Sequence, residues 1–360
     1  MDFASPCLLF FEDAIRENTR RVLAAVGDPT RLRPHMKTHK TKEVVALQLS
    51  MGITKFKCAT LAEAAMTASA GARDVLLAYP LVGPNVALFL KLVQSFPETR
   101  FLAVFDSEAT VRPLALQASA LELRVEALID VDTGQHRTGV AFPLAADLYA
   151  LAATLPGVAP VGIHAYDGHN HQSDLTVRTA AARACYDEVF ALKARLTARG
   201  LSADTLVLGG TPTYPLYAAW GGVEISPGTC FLHDHGYTRS FADQVFEPAA
   251  LVLSRVVSVH PEQGTFTLDA GHKAVAADPA GARGILFDRP GYAEPVFQNE
   301  EHWVWKVSQG DLPRVGEEFL LQPTHICPTV ALHHSAHILD ASGRWKGDWV
   351  IAGRNRNLPF

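Results

Sequence analysis

From about residue 15 to residue 240 the chain alternates between stretches whose apolar residues recur at helical spacing and short runs of consecutive apolar residues. Asp13 to Val26 predicts a helix, followed by a strand over Arg31 to His35 and a helix over Thr41 to Met51 that Gly52 would end. Strand-like Lys55–Cys58 and Asp74–Ala78 flank an alanine-rich helix, Thr60 to Ala70, ending at Gly71; Pro84 to Ser95 reads as the next helix. Further strands are predicted over Phe101–Phe105, Arg124–Val131, Val161–Ala165 and Thr205–Leu208. Helices lie between them, the clearest being Thr176 to Arg199. Short apolar strands that alternate with helices pair in parallel, because each parallel crossover needs a connecting element. Seven or eight such units suit a (β/α)8 barrel of the TIM type better than an open doubly wound sheet, and no GxGxxG follows the first strand.

After about Gln244 the pattern changes. Ala250–His260, Gly264–Asp269, His302–Val307, Glu317–Leu321 and Trp345–Ala352 read as strands joined by turns, with no convincing helix. The expected architecture is therefore a barrel over residues 13–243 and an antiparallel β domain over 244–360, joined by residues 1–12.

Composition narrows the function classes. Hydrophobic residues make up 48% and charged ones 19%, enough for a sizeable core and against a disordered chain. A net charge of −5 gives no electrostatic reason to expect nucleic acid or an anionic membrane as partner. The five cysteines contain no CxxC pair and are odd in number, which favours a reducing compartment over a disulfide framework. The apolar stretch Cys7–Phe11 is too short and too closely flanked by acids for a signal peptide, and no apolar run approaches the roughly 20 residues that span a bilayer. A cytoplasmic protein with a small-molecule substrate is expected.

The chemistry gathers in motifs. Arg33-Pro34-His35-Met36-Lys37-Thr38-His39-Lys40, taken by residue type alone, is a basic loop at a strand end. It resembles, however, the lysine motif of the D-threonine aldolase and D-serine dehydratase family. These enzymes use pyridoxal phosphate (PLP) and join an alanine-racemase-type barrel to a β domain. Other segments resemble the family in the same order: Ser5–Leu9, Cys58–Ala64, Val131–Val140, Gly209–Thr213, Ser226–Thr229 and Thr324–Val330. The resemblance covers nearly the whole chain.

The resemblance implies that Lys37 is the Schiff-base lysine, with Lys40 as the alternative, and that Arg137 approaches the cofactor's phenolic oxygen. It implies an aromatic residue beside the cofactor at Tyr166, and phosphate-binding turns at Gly209, Gly210 and Thr211 and at Gly228 and Thr229. Backbone N–H groups in glycine turns after late barrel strands suit a phosphate. His325 and Cys327 correspond to the family's metal pair. In an extended segment their side chains would point the same way, and nitrogen with sulfur favours Zn²⁺, with Mn²⁺ or Mg²⁺ as alternatives. His164, His169, His171, His333 and His334 are further histidines to which spacing gives no preference.

A metal and PLP together imply a lyase acting on 3-hydroxy-D-amino acids. Retro-aldol cleavage to glycine and an aldehyde, as in D-threonine aldolase, is the first expectation, because the segment around Tyr166 resembles that branch. Elimination to a keto acid and ammonia, as in D-serine or 3-hydroxy-D-aspartate dehydratase, is the alternative, because His325-x-Cys327 resembles the dehydratase branch. An amino-acid racemase and a non-catalytic PLP-binding protein stay open as other classes. A homodimer follows only from the resemblance.

Overall fold

The structure, a computed structural model, describes residues 2–356 and 358. By internal contacts the chain divides into two compact units. Of the described residues, one holds 22–37, 42–228, 355–356 and 358; the other holds 2–21, Thr38–Thr41 and Thr229–Arg354.

In the first unit seven parallel strands lie side by side in chain order: Lys55–Cys58, Asp74–Leu77, Arg100–Phe105, Val125–Asp130, Val158–Ala165, Thr205–Leu208 and Glu224–Ile225. Helices connect them, among them Pro84–Ser95 and the long Leu175–Ala198. Local chemistry explains the boundaries. Thr60 caps the helix Leu61–Ser69 by accepting from the Glu63 N–H at 3.1 Å, while the Glu63 carboxylate accepts from the Ala59 N–H at 2.7 Å. Leu76, Leu102, Val104, Leu128 and Val207 form a buried cluster.

The strand expected over Arg31–His35 is not continuous. Pro29–Arg31 is a 3-10 turn, and Pro34 has no N–H to offer a ladder, so the segment pairs only through isolated bridges, Leu32 with Ile225 and His35 with Lys57. Those bridges still close the ring. The N–H groups of Arg33 and His35 donate to Ile225 and Pro227 carbonyls, and those of Lys57 and Met36 donate to Pro34 and Lys57 carbonyls, all at 2.8 Å. The closure is reinforced by Arg33, fully buried, whose Nε meets Glu224 Oε2 at 2.7 Å and whose Nη1 meets Asp74 Oδ1 at 2.5 Å.

The second unit is built on a nine-stranded sheet. Ala250–His260 is its central strand, pairing with Thr265–Leu268, Glu318–Pro323 and the N-terminal strand Cys7–Phe11. Leu9, Leu253 and Leu339 meet in its core. Three expectations are corrected here. The sheet is not wholly antiparallel, since Cys7–Phe11 runs parallel to Ser335–Leu339. Strands Gly284–Leu286, Ala293–Gln298 and Ser335–Leu339 add to those expected. The domain also contains a helix, Ile326–Leu332. Pro328 sits in its first turn, where a missing N–H costs nothing, and the Asp234 carboxylate accepts from the Ile326 N–H at 3.0 Å. Among the described residues, no helix is long and apolar enough to cross a membrane.

Candidate functional site

Lys37 ends the segment that closes the barrel, and its backbone N–H donates to His35 Nδ1 at 3.3 Å. Its Nζ lies 5.5 Å from the centroid of the Tyr166 ring. Arg137 presents its guanidinium carbon to the same ring at 5.2 Å. Three residues from separate segments of the chain are thus brought to one place. Lys57 joins them, with its Nζ 5.4 Å from that centroid.

Tyr166 follows the strand Val158–Ala165, and two glycines fix where its ring can lie. A Cβ on Gly168 would meet the ring at 2.3 Å, and one on Gly210 would meet it at 3.0 Å. The carbonyl of Tyr166 accepts from Thr133 Oγ1 at 2.8 Å, tying the tyrosine to the loop that carries Arg137. That loop is itself held by the Asp132 carboxylate, which accepts from the N–H groups of Gly134 and His136 at 2.9 and 3.0 Å.

The two glycine turns also meet. Gly209 has φ +76°, and a Cβ there would strike the Tyr217 ring at 2.7 Å, so the turn requires glycine. The Gly228 N–H donates to Thr211 Oγ1 at 3.1 Å, which joins the turn after Thr205–Leu208 to the turn after Glu224–Ile225. Beside Gly228 in sequence, the buried Ser226 Oγ has no hydrogen-bond partner among the described residues. An unpaired buried hydroxyl in these joined turns fits a bound phosphate. Asp167 braces the turn from beneath, accepting from Thr213 Oγ1 at 3.0 Å and from the Tyr217 hydroxyl at 2.7 Å. Burial raises its carboxyl above the usual range. Thr229 belongs to the other unit, where its hydroxyl lies 3.6 Å from Cys327 Sγ.

Sequence reasoning missed a buried polar chain. Asp130 Oδ1 lies 2.7 Å from His164 Nδ1, and His164 Nε2 lies 3.2 Å from Lys57 Nζ. All three residues are buried, with at most 5% of their surface exposed. Burial and the neighbouring Lys57 push the His164 imidazole down, so it is neutral, with Nδ1–H donated to Asp130. Burial, followed by the charge of Lys37, lowers Lys57 to about 7. Lys55 and Lys57 alternate with Phe56 and so resemble a solvent-facing pattern. The two in fact share one face of the strand and differ in depth: Lys55, at its start, is partly exposed beside Glu224, whereas Lys57 is buried.

The metal pair needs a correction in its local geometry. His325 has extended backbone but is the N-cap of Ile326–Leu332, so Cys327 stands in a helix rather than on the same strand face. The two side chains nevertheless hydrogen-bond to each other. His325 Nδ1 also meets Asp278 Oδ2 at 2.5 Å, and Cys327 Sγ lies 3.2 Å from Thr38 Oγ1. Burial pushes the His325 imidazole down, but Cys327 and Asp278 outweigh it and hold it at about 9. That surplus of negative character beside a nitrogen and a sulfur donor suits a cation. Among the described residues no cluster of three or more His, Cys, Asp or Glu side chains forms a ready metal cage. Two protein donors would leave positions for water or substrate. Of the other histidines, His333 Nε2 is 2.9 Å from the Ala274 carbonyl, a structural contact.

Comparisons with known proteins identify the family. The family described as the alanine racemase N-terminal domain matches residues 12–233, and a serine dehydratase domain family matches residues 249–339. A D-threonine aldolase from an Arthrobacter species is 31% identical, covering 90% of this chain and 85% of its own. The D-threo-3-hydroxyaspartate dehydratase of a Delftia species is 27% identical over 94% of this chain and 95% of its own. Solved forms of that dehydratase include a histidine-to-alanine variant and, two positions along its chain, a cysteine-to-alanine variant in the metal-free form, with TM-scores of 0.83 and 0.84. The D-threonine aldolase structure from Filomicrobium marinum superposes with a TM-score of 0.89 at 26% identity, over 98% of this chain and 96% of that one. With the fold, the order of the motifs and this coverage in agreement, the chain belongs to the D-threonine aldolase and D-serine dehydratase family of lyases, built on the alanine racemase fold.

Proposed function

We propose that this chain is a PLP- and divalent-metal-dependent lyase of 3-hydroxy-D-amino acids, cleaving the Cα–Cβ bond to give glycine and an aldehyde. The observation that carries the reading is the convergence of Lys37 and Arg137 on Tyr166 within 5.5 Å, in a barrel where the turns at Gly209–Thr211 and Gly228 are bonded together. PLP bound there supplies an electron sink for the pair left on the substrate Cα when a bond to it breaks.

The chain's own residues would do the rest. Lys37 would hold the cofactor through its amine until a substrate amine displaces it. Arg137, charged at any working pH, would keep the phenolic oxygen ionised. Tyr166 would set the plane against which the ring lies. Gly209, Gly210, Thr211, Gly228 and Thr229 would take the phosphate. His325 and Cys327 would hold the cation, which would supply Lewis acidity for a substrate hydroxyl. Zn²⁺ suits this donor pair best, with Mn²⁺ and Mg²⁺ as alternatives.

Elimination to a keto acid and ammonia is the second reading. It is favoured by the thiol at Cys327, since the related dehydratase has a histidine and a cysteine at the same spacing among its engineered positions. Cytoplasmic location and a homodimer complete the proposal, resting on the cysteine pattern and on the family.

Borohydride reduction followed by peptide mass spectrometry is expected to place the cofactor on Lys37. Label on Lys40, or on no lysine, would overturn the assignment. Incubation with D-threonine and D-serine then separates the branches. Glycine with acetaldehyde supports cleavage, and ammonia with a keto acid supports elimination.

A further inference from the structure

Lys57 is a buried amine that the reading above does not use. It lies on Lys55–Cys58, the strand paired directly to the segment that carries Lys37, with its backbone bonded to Pro34 and Met36. It is only 2% exposed, and its Nζ has one hydrogen-bond partner among the described residues, the imidazole of His164. Buried cations are ordinarily neutralised by a carboxylate. Arg33, on the neighbouring segment, has two such partners, whereas Lys57 has an imidazole instead. Its Nζ stands as close to the Tyr166 ring as that of Lys37, at 5.4 against 5.5 Å.

We propose that Lys57 is a second acid/base amine of this site, oriented by the Asp130–His164 chain, which delivers the proton that the substrate Cα acquires after cleavage. The proposal rests on the lyase reading above and deepens it. Asp130 accepts from His164 Nδ1–H, which fixes the tautomer and leaves the Nε2 lone pair facing Lys57. One N–H of Lys57 is thereby anchored, and the rest of the amine, lone pair or proton, is directed elsewhere.

The groups that set its charge are all at hand. Burial and the positive charges of Lys37 and Arg33 disfavour the ammonium, and Asp130 and Asp167 partly offset them. A second amine against the same ring thus disfavours the ammonium form of Lys57. When the Cα–Cβ bond breaks, the hydroxyl gives its proton to solvent water and becomes the aldehyde carbonyl. The electron pair left on Cα forms a bond to a proton from the Lys57 ammonium, which yields glycine and the neutral amine. The amine recovers its proton from solvent. The reverse proton transfer removes a Cα hydrogen from glycine, so the step can be read without any carbon–carbon bond change.

The test is exchange of the glycine Cα hydrogen in heavy water by the holoenzyme, followed by proton NMR. In the wild type the rate is expected to rise with pH as the buried Lys57 amine loses its proton. Lys57→Met is expected to keep the borohydride label on Lys37 while slowing exchange by about 100-fold, the usual scale for a lost acid/base group. Lys57→Arg, which cannot give up its proton, is not expected to restore it. Exchange by Lys57→Met within about threefold of wild type, or a wild-type rate that is flat with pH, would overturn the proposal. The wild-type profile decides alone if the variant does not fold. Absence of label from Lys37 in the wild type would instead sink the cofactor reading, independently of Lys57.

Discussion

The phenol ring of Tyr166 lies against the backbone of Gly168 so closely that a Cβ there would come within 2.3 Å of a ring carbon. No methyl group fits without moving the ring, and the ring is the surface on which Lys37, Lys57 and Arg137 converge. Gly168→Ala is therefore expected to fold and to retain the label on Lys37, but to lose about 100-fold in kcat/KM, as misplacement of about 1 Å does in a positioned site. Steady-state kinetics with D-threonine check this. Unchanged kinetics would mean that the tyrosine's placement does not matter.

Arg33 is held by Asp74 and Glu224 with no access to water. Arg33→Met leaves two carboxylates facing a dry interior and removes a tie across the closure of the barrel. Breaking such a pair costs about 3–5 kcal/mol, although Arg100 and Lys55 still contact the stranded acids and should hold the loss to the lower end. Urea denaturation of the variant beside wild type measures the difference. A loss below about 1 kcal/mol would place this cluster with ordinary surface pairs.

Asp278 accepts from or shares a proton with His325 Nδ1, which leaves Nε2 for a metal. Carboxylates in that position orient the imidazole, and their loss typically lowers metal affinity by about 10- to 100-fold. Asp278→Asn is expected to need correspondingly more Zn²⁺ to regain activity after chelator treatment. Cys327→Ala is expected to lose metal dependence together with most activity. Full activity of chelator-treated wild type would remove the cation from the reaction altogether.

The buried amine of Lys57 makes a second, thermodynamic prediction. Its folded value, about 7, lies below the 10.5 of an ordinary lysine, so between these pH values the unfolded chain binds a proton that the native chain does not. Stability that is present above pH 10.5 is therefore lost as pH falls toward 7, and below that the cost is constant. Lys57→Met removes the group, so it should flatten this dependence and gain stability most at the acid end. Denaturation midpoints of both proteins across that window test the sign. A parallel pH dependence in the two would show that Lys57 is charged in the native state.

The pattern of apolar residues determined most of the elements by itself. Lys55–Cys58, Pro84–Ser95, Thr205–Leu208 and Ala250–His260 have the bounds their hydrophobic runs predict, because strand and helix periods are local properties of the chain. The motifs likewise singled out Lys37, Arg137, Tyr166 and the two glycine turns. The helix at Ile326–Leu332 was not legible, since Pro323 and Pro328 punctuate the segment as an extended run would be, and the carboxylate that caps it, Asp234, is 92 positions away. The single parallel pair in the β sheet is hidden for the same reason, because its partners stand at opposite ends of the chain. Only the tertiary structure could distinguish Lys57 from Lys55. One is partnered by Glu224 and partly exposed, and the other is enclosed with His164. Charge state follows burial and neighbours, and a strand's own sequence does not record how deeply the rest of the barrel will enclose each position along one face.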